Sequence, residues 1–557
     1  MMKKKEKILL VLILLLAAAL RLWGLNHYPV GLNADEAAIG YNAYSLIETG
    51  LDEHGNAWPI HFKSFGDYKP GFYFYLALPF VKVLGLNVWA VRLPSALLGI
   101  FSVLLIYLLV RELFANRKLA LISAFFLSIS PWHLHFSRGG WEANAATFFI
   151  LLGVYLFFKG LKKPRFFLFS ALACVLSLYT YHSARVVVPL LGLGLVFLYR
   201  QMLFSLKNRR WLIISGIVAV LISIPLLVSF FGSAGTSRFS GVGLTADTGP
   251  LWRANELRNQ HSNPNALPVR LIHNQYLGYM IAFFQNWFAH FQGDFLFISG
   301  DEVLRSRIPD AGQMYLFEIP LLAVGIYFLL KKRPENWQVI FLWLGTAPIA
   351  AAMTFQAPSA LRAHNMIIPL VSISAYGFWQ IWLLVKKRAK SLVMISCLLA
   401  SLIFLWSVTA YLHQYYIHYS KTHPEAWEYG FDELVDFISP RQADYDEIYV
   451  TDHYDQPYIL FLFYLKYPPG EFQKQVELTP RDKFGFSTVR DFGKFHFEKI
   501  NWQELKKKEN VLVVGTAEEI PQSDKIIKEI YYSKANGAKT EKPIFRIAQP
   551  DLLNEKN

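Results

Sequence analysis

Charge is scarce in this chain. Of its 557 residues only 17% are Asp, Glu, Lys or Arg, where a soluble protein carries about 25%. The deficit accompanies long apolar runs, which argues against an ordinary soluble protein and for one embedded in a membrane. Cysteine is scarcer still. Cys174 and Cys397 are the only two, and both sit inside apolar runs, so no disulfide framework is implied and cysteine usage names no compartment. Internal repeats and low-complexity tracts are absent. Aromatic residues are plentiful, with 45 Phe, 29 Tyr and 15 Trp, and 54% of the chain is hydrophobic. The net charge of +14 would suit nucleic acid in a soluble protein. Here Lys and Arg fall between apolar segments, so they read as topology signals beside an anionic membrane surface, with no nucleic-acid partner.

Apolar segments of about spanning length cover residues 8–25, 89–110, 119–137, 142–159, 165–181, 185–200, 211–231, 314–330, 337–355, 362–384 and 391–412. The N-terminal MMKKKEKILLVLILLLAAALRLWGL has the basic start of a signal peptide and small residues at Ala17–Ala19. Its apolar run is long enough to span, and a retained first helix is expected. Residues 70–86 are shorter and carry Pro79. If they do not span and KKKEK is cytoplasmic, six basic segments all fall inside: KKKEK, RELFANRK, KGLKKPR, Arg200 to Arg210, KKRPEN and KKRAK. The turns SRGGWE, YHSAR and APSALRAHN fall outside with one Arg each. If 70–86 did span, every later loop would violate the positive-inside rule. About 11 spans are therefore predicted, with 70–86 an interfacial or re-entrant helix.

The predicted organisation is a transmembrane domain over 1–413 and a small soluble α/β domain over 414–557. Residues 26–88 form the first outer loop and 232–313 a second long one. Within the latter, QYLGYMIAFFQNWFAHF reads as an amphipathic helix on the membrane or lining a cavity. After 414 charge becomes frequent. EIYV (447–450), NVLVVGT (510–516) and PIFRIA (543–548) read as strands, and DELVDFI (432–438) as a helix.

The candidate chemistry gathers at the outer ends of spans. Asp35 and Glu36 are adjacent carboxylates just after the first span. A carboxylate there can act as general base toward an attacking hydroxyl, while Asn33 or Asp35 can equally cap a helix. Lys69, in the segment Asp67-Tyr68-Lys69-Pro70, can hold a phosphate as a compact charge or anchor at the interface, with Pro70 at a helix start. Arg92 opens a span. Arg138 and Glu142, His182 and Arg185, and Arg362 and His364 occupy short outer turns. Each arginine alone can snorkel to the headgroups, as Arg21 is expected to do. If the helices bundle, these turns meet the first loop at one rim. A carboxylate pair then faces several cations, which suits binding a phosphate and neutralising it as it leaves.

Together these features resemble the bacterial membrane glycosyltransferases of the protein O-mannosyltransferase and aminoarabinose transferase type, with a GT-C fold. The resemblance is carried by Asp35-Glu36 after the first span, by Asp67 to Pro70, and by Val91-Arg92-Leu93-Pro94-Ser95-Ala96. SPWHLHFSRGGWEANAATFF (130–149) and LRAHNMIIPL (361–370) add to it. It covers roughly residues 8–412. Gly71 stands where family members often have a second proline. Trp427-Glu428-Tyr429-Gly430 is faintly similar to the W-W-D-Y-G motif of oligosaccharyltransferases, with one tryptophan missing and a different acid.

The resemblance implies a mostly α, polytopic GT-C-like helical bundle with a C-terminal extracytoplasmic α/β domain, in the bacterial cytoplasmic membrane. It implies inverting transfer of a sugar from a polyprenyl-phosphate carrier to a lipid, glycan or protein hydroxyl outside the cytoplasm. Asp35 would be the base or the acceptor-orienting carboxylate, and Glu36 its helper. Lys69, Arg92 and Arg138 would contact the donor phosphate, with Arg185 and Arg362 also carried over. Asp67, Tyr68, Glu142, His182 and His364 would touch donor or acceptor. Some GT-C enzymes use a divalent metal. The acids with His54, His61, His182 and His364 could supply ligands, but no metal-specific spacing appears, so no cofactor is assigned. Two alternatives are an oligosaccharide transferase or polymerase of similar architecture, and a lipid-linked sugar transporter. A transporter should carry ionisable residues at mid-membrane, whereas here they gather at span ends.

Overall fold

The computed structural model describes residues 3–230, 243–454, 456–482, 485–522, 525–532 and 542–550. The chain is mostly helical, and contacts divide it into two compact units. One comprises Met1–Trp23, Ser95–Ser137 and Trp141–Tyr411. The other comprises Gly24–Pro94, Arg138–Gly140 and Leu412–Asn557. This cuts across the division at 413: Gly24–Pro94 groups with the C-terminal region.

The chain opens with helices α1 (Lys4–Leu22), α2 (Ala34–Thr49), α3 (Phe72–Leu84) and α4 (Val88–Phe114). Among the described residues, helix covers most of each predicted apolar segment. Among the described residues six helices are long and apolar enough to cross a membrane: Val88–Phe114, Glu142–Lys162, Ala184–Leu203, Asn208–Ser229, His364–Val385 and Lys390–Thr422. Two predicted spans are broken. Ser130 separates Arg117–Ile129 from Pro131–Phe136, where Pro131 starts the second helix. Pro348 separates Trp337–Thr346 from Ile349–Ala352. The amphipathic reading of the second long loop lands on the helix Gln275–Ala289; residues 231–242 of that loop lie outside the described residues.

The first unit is a bundle in which Gly325 and Gly377 bring Glu318–Lys332 and Ile367–Val385 together. A Cβ on Gly377 would stand 1.9 Å from the Leu321 carbonyl oxygen, the close approach that small residues permit between membrane helices. Several basic segments meet at one end of this unit. Arg117 pairs with Glu6 at 3.5 Å, Lys159 and Lys162 pair with Glu112, and Asn336 donates to the Leu113 carbonyl at 2.9 Å. Arg21 is not a snorkelling residue. It is fully buried, donating to the Ser128 and Leu127 carbonyls and lying 2.8 Å from His133 Nδ1.

The second unit is built on a mixed six-stranded sheet. Its strands are β3 (Glu447–Thr451), β4 (Asp491–Phe492), β5 (Phe495–Glu498), β6 (Val511–Gly515), β7 (Ile526–Ile530) and β8 (Phe545–Ala548), in the order β4-β5-β3-β6-β8-β7. β3 pairs in parallel with β5 and β6, and the other pairings are antiparallel. The three predicted strands are β3, β6 and β8, and the predicted helix is Phe431–Ile438. The helix Pro457–Leu465 (PYILFLFYL) is buried from Pro457 to Phe463. A helix apolar all round needs cover on every side, and α2 supplies one of them: Gly40 lets Phe463 approach where a Cβ would stand 2.5 Å from its ring. Tyr41 donates to the Tyr467 carbonyl at 3.0 Å, and the Gln473 amide donates to Ser45, Thr49 and the Asp52 carbonyl. These contacts tie the 34–52 segment to the C-terminal region.

Asp67–Pro70 is a strand. β1 (His61–Ser64) and β2 (Asp67–Pro70) form an antiparallel hairpin, in register from His61↔Pro70 to Ser64↔Asp67. Pro70 was expected to start a helix; it closes β2 instead, and Gly71 precedes α3.

Candidate functional site

The adjacent acids Asp35 and Glu36 have different surroundings. Asn33 is the N-cap of α2: its side chain accepts from Glu36 N at 3.0 Å, and Glu36 Oε2 reaches back to Asn33 N at 3.4 Å. This is a reciprocal capping box. Glu36 is 1% exposed. Its Oε1 also accepts from Gly140 N at 2.7 Å and Arg92 Nε at 2.8 Å, and its Oε2 from Arg92 Nη2 at 2.9 Å. Every acceptor position of this carboxylate is occupied. Asp35 is one position earlier in the first turn, and its side chain stays 31% exposed.

Arg92 is saturated from the other side. A guanidinium has five N–H donors. Those not on Glu36 go to the carbonyls of Leu25 (3.1 Å), Pro29 (2.8 Å) and Gly31 (2.6 Å). The group is fully buried and lies 5.6 Å from the Trp427 ring centroid. This geometry clamps the 25–36 segment onto α4 and leaves no donor for a phosphate. Arg138 is buried in the same way, donating to Gly24 and Tyr28 carbonyls at 3.3 and 3.0 Å beneath the rings of Tyr415 and Tyr416.

Lys69 forms an ion pair with Asp35, its side chain 12% exposed and its ammonium 4.8 Å from the Phe65 ring centroid. Asp67 accepts from Tyr68 N at 2.8 Å within the hairpin. One unit therefore brings together Asp35, Glu36, Asp67, Tyr68, Lys69, Arg92 and Arg138. Asp35 and Lys69 are in direct mutual contact there, with side chains 31% and 12% exposed.

The remaining predicted residues belong to the bundle unit. Arg185 donates to the Leu178 carbonyl at 3.2 Å. Arg362 donates to the Gln356 carbonyl at 3.1 Å and Thr354 Oγ1 at 3.3 Å. Glu142 opens the helix Glu142–Lys162, and the His182 carbonyl accepts from Arg185 N. His364 is buried, with Nδ1 3.0 Å from Thr147 Oγ1 and its ring 5.7 Å from that of His133. Among the described residues no group of three or more His, Cys, Asp or Glu could hold a metal ion, so the histidines and acids offered by the sequence do not converge there.

Two contributions to this unit were not assigned from sequence. Glu428 Oε2 accepts from Ala34 N at 3.1 Å, supplying a second carboxylate to the start of α2. The Trp427 carbonyl packs on Gly31, where a Cβ would come within 2.2 Å. The weak Trp427-Glu428-Tyr429-Gly430 signal thus marks the segment that braces the acidic turn. Glu53 is the other. It is fully buried, hydrogen-bonded to Asn42 Nδ2 at 3.0 Å, and its Oε2 makes no hydrogen bond. Burial pushes its carboxyl up to about 8, against the favourable Asn42 contact, with Asp52 adding to the rise and Lys69 opposing it. A buried acid in a loop gives no sequence signal beyond the letter itself.

Residues 68–228 match the family described as dolichyl-phosphate-mannose-protein mannosyltransferase. The dolichyl-phosphooligosaccharide-protein glycotransferase 2 of Archaeoglobus fulgidus is 30% identical over 182 residues, 32% of this chain and 29% of that protein. The chain spans about a third or less of the length of the curated relatives it matches, 35%, 12% and 29%. In fold it is similar to ArnT from Cupriavidus metallidurans bound to undecaprenyl phosphate, at a TM-score of 0.53 and 12% identity over 98% of this chain and 99% of that one. The A. fulgidus oligosaccharyltransferase tethered to an acceptor peptide scores 0.53 at 12% identity, over 93% and 69%. The chain resembles the GT-C membrane glycosyltransferases in sequence over 68–228 and in fold over nearly its whole length.

Proposed function

We propose that this GT-C-type chain is an inverting glycosyltransferase that moves a sugar from a polyprenyl-phosphate carrier to a hydroxyl on an extracytoplasmic acceptor. The observation that carries the reading is the Asp35–Lys69 pair: a partly exposed carboxylate beside an ammonium, braced by a turn whose other charges are fully used. Asp35 takes the acceptor hydroxyl's proton as that oxygen attacks the anomeric carbon from the face opposite the phosphate. The bond from that carbon to the phosphate oxygen breaks, and its electron pair leaves with the carrier. Lys69 passes from Asp35 to the leaving phosphate and offsets its charge. Phosphate is already a good leaving group, so positioning supplies much of the rate. Glu36, Arg92 and Arg138 hold the turn.

The membrane arrangement belongs to the same proposal. About 11 spans place the N-terminus in the cytoplasm, and the first loop and C-terminal domain outside, in a bacterial cytoplasmic membrane. The meeting of basic segments at one end of the bundle unit supports this, since the positive-inside rule places them together. The oligosaccharyltransferase likeness favours a second reading, in which the donor is a lipid-linked oligosaccharide. Purified protein given a panel of labelled polyprenyl-phosphate monosaccharides and lipid-linked oligosaccharides tests both. Carrier release from a monosaccharide donor supports the first reading, release only from an oligosaccharide donor supports the second, and no release from any member contradicts both.

A further inference from the structure

One helix of the second unit has an apolar face that the protein leaves uncovered. With about 3.6 residues per turn, Tyr73, Phe74, Ala77 and Val81 fall on one side of α3, and all four are buried. Tyr75, Pro79, Lys82 and Val83 fall on the opposite side. Tyr75 is half-buried and the other three are exposed, Val83 at 81%. Lys82 is the only charged residue on the helix. A helix bounded by water carries polar residues along its open side; here that side is apolar up to its last turn.

The 58–60 loop extends the same surface. Trp58 stacks on Tyr75, with ring centroids 6.0 Å apart and planes 9° from parallel. Tyr75 donates to the Pro59 carbonyl at 2.7 Å, and Gly71 N, just before α3, donates to the Ile60 carbonyl at 2.9 Å. Trp58 is 58% exposed, and Ile60 is exposed beside it. Large apolar side chains thus stand open at both ends of the helix. Trp58 and Ile60 flank its first turns; Val83 and Leu84 are exposed at its end, about 12 Å beyond Tyr75 by the helix rise.

Connectivity names what covers this surface. Asn87 joins α3 to α4: its Nδ2 donates to the Leu84 carbonyl at 2.7 Å, and its Oδ1 accepts from Ala90 N at 3.0 Å. α4 is long and apolar enough to cross a membrane. Its 27 residues make about 40 Å of helix, which matches a bilayer with its headgroup layers included. The first turn of α4, and the end of α3 pinned to it, therefore lie at headgroup level. Tryptophan and tyrosine rings favour that layer, and a lysine beside apolar residues reaches from it to lipid phosphates.

We infer that the open face of α3 and the Trp58–Ile60 loop seat on the phospholipid headgroup layer, and that this seat holds Lys69 at the level of the lipid phosphates. Lys69 stands three residues before Phe72, the first residue of α3, so its backbone is within about 10 Å of the seated helix. A carrier phosphate arriving in the membrane plane then meets the ammonium without leaving the headgroup layer, and positioning of this kind contributes to rate. The placement of Lys69 bears on donor binding only under the glycosyltransferase reading; the seat stands without it.

Spin labels test the seat. Full-length protein with Cys174→Ser and Cys397→Ser receives one new cysteine by Ile60→Cys, Val83→Cys or, as a reference exposed in the C-terminal region, Glu509→Cys. Each is reconstituted in phosphatidylcholine–phosphatidylglycerol vesicles. Collisions with oxygen, which concentrates in lipid, are compared with collisions with a nickel chelate, which stays in water. Labels at positions 60 and 83 should favour oxygen about threefold or more over the label at position 509. Two results overturn the seat. Accessibility at 60 and 83 equal to that at 509 leaves the face in water. Shielding from both reagents puts a protein partner or a second copy on it. The label readout needs no transfer and should persist in Asp35→Asn. The level of Lys69 is read from the donor KM in vesicles. Trp58→Ala and Val83→Glu should each raise the KM of a long-chain polyprenyl-phosphate donor about fivefold and leave that of a water-soluble short-chain donor nearly unchanged. An unchanged long-chain KM, or equal effects on both donors, overturns that placement. Absence of transfer in the unaltered protein contradicts the catalytic reading, and the labels still decide the seat.

Discussion

Arg92 and Glu36 exhaust one another: Arg92 gives two of its five N–H groups to the Glu36 carboxylate, the other three go to carbonyls of the same loop, and neither side chain is exposed. Removing one member of a buried pair leaves an uncompensated charge and costs about 3–5 kcal/mol. Glu36→Gln and Arg92→Lys are therefore both expected to lower the thermal unfolding midpoint strongly, because an ammonium cannot reproduce the fork. Thermal unfolding in detergent checks this; a variant that folds normally yet loses donor binding would restore Arg92 to the phosphate site.

Glu428 reaches the same turn from 394 residues away, accepting from Ala34 N. Glu428→Ala leaves that helix-start N–H without its acceptor and should cost about 1–2 kcal/mol. Glu428→Gln keeps an acceptor oxygen and should recover most of the loss. Unfolding midpoints of the two variants, compared side by side, decide the matter.

Glu53 gives the fold a pH dependence. Its carboxyl is raised from 4.5 to about 8, so the folded state keeps a proton that the unfolded chain releases. The contribution is complete below about pH 4.5 and is lost as pH rises through about 8. Wild-type stability should fall across that window by up to a few kcal/mol, and Glu53→Gln should flatten the curve. Unfolding midpoints measured from pH 5 to 9 test the sign; a curve that rises in wild type and is unchanged in the variant contradicts it.

Lys69 should act on the donor. Lys69→Met removes the ammonium and is expected to raise the donor KM by about tenfold or more, since a charged hydrogen bond contributes about 1.5–3 kcal/mol, with little change in the acceptor KM. Initial rates at varied donor concentration provide the check.

The sequence exposes the helices and the acidic turn clearly, because long apolar runs and a Asn33…Glu36 spacing carry local physical signals. It shows β3, β6 and β8 for the same reason, as short β-branched runs. It does not show that residues 24–94 fold with residues 412–557. That depends on α2 covering Pro457–Leu465, a pairing between segments some 400 residues apart. Nor does it distinguish Asp35 from Glu36, or a clamping arginine from a phosphate-binding one. Arg21, Arg92 and Arg138 look alike in sequence; only the fold reveals that all three are buried against backbone carbonyls and that every donor of Arg92 is spent. Lys69 was legible as a cation near the acids, but its hairpin was not, since Asp67–Pro70 holds a proline and an acid that both disfavour strands.

The account depends most on Asp35. Its pair with Lys69 is partly exposed, and pairs of that kind contribute about 0–1 kcal/mol to stability, so Asp35→Asn should fold as wild type does. The decisive measurement is the single-turnover rate of labelled sugar transfer from a polyprenyl-phosphate donor by purified Asp35→Asn protein, beside wild type of equal thermal stability. The expected result is a loss of about a hundredfold or more; transfer by the folded variant at the wild-type rate would contradict the assignment of Asp35 as the base.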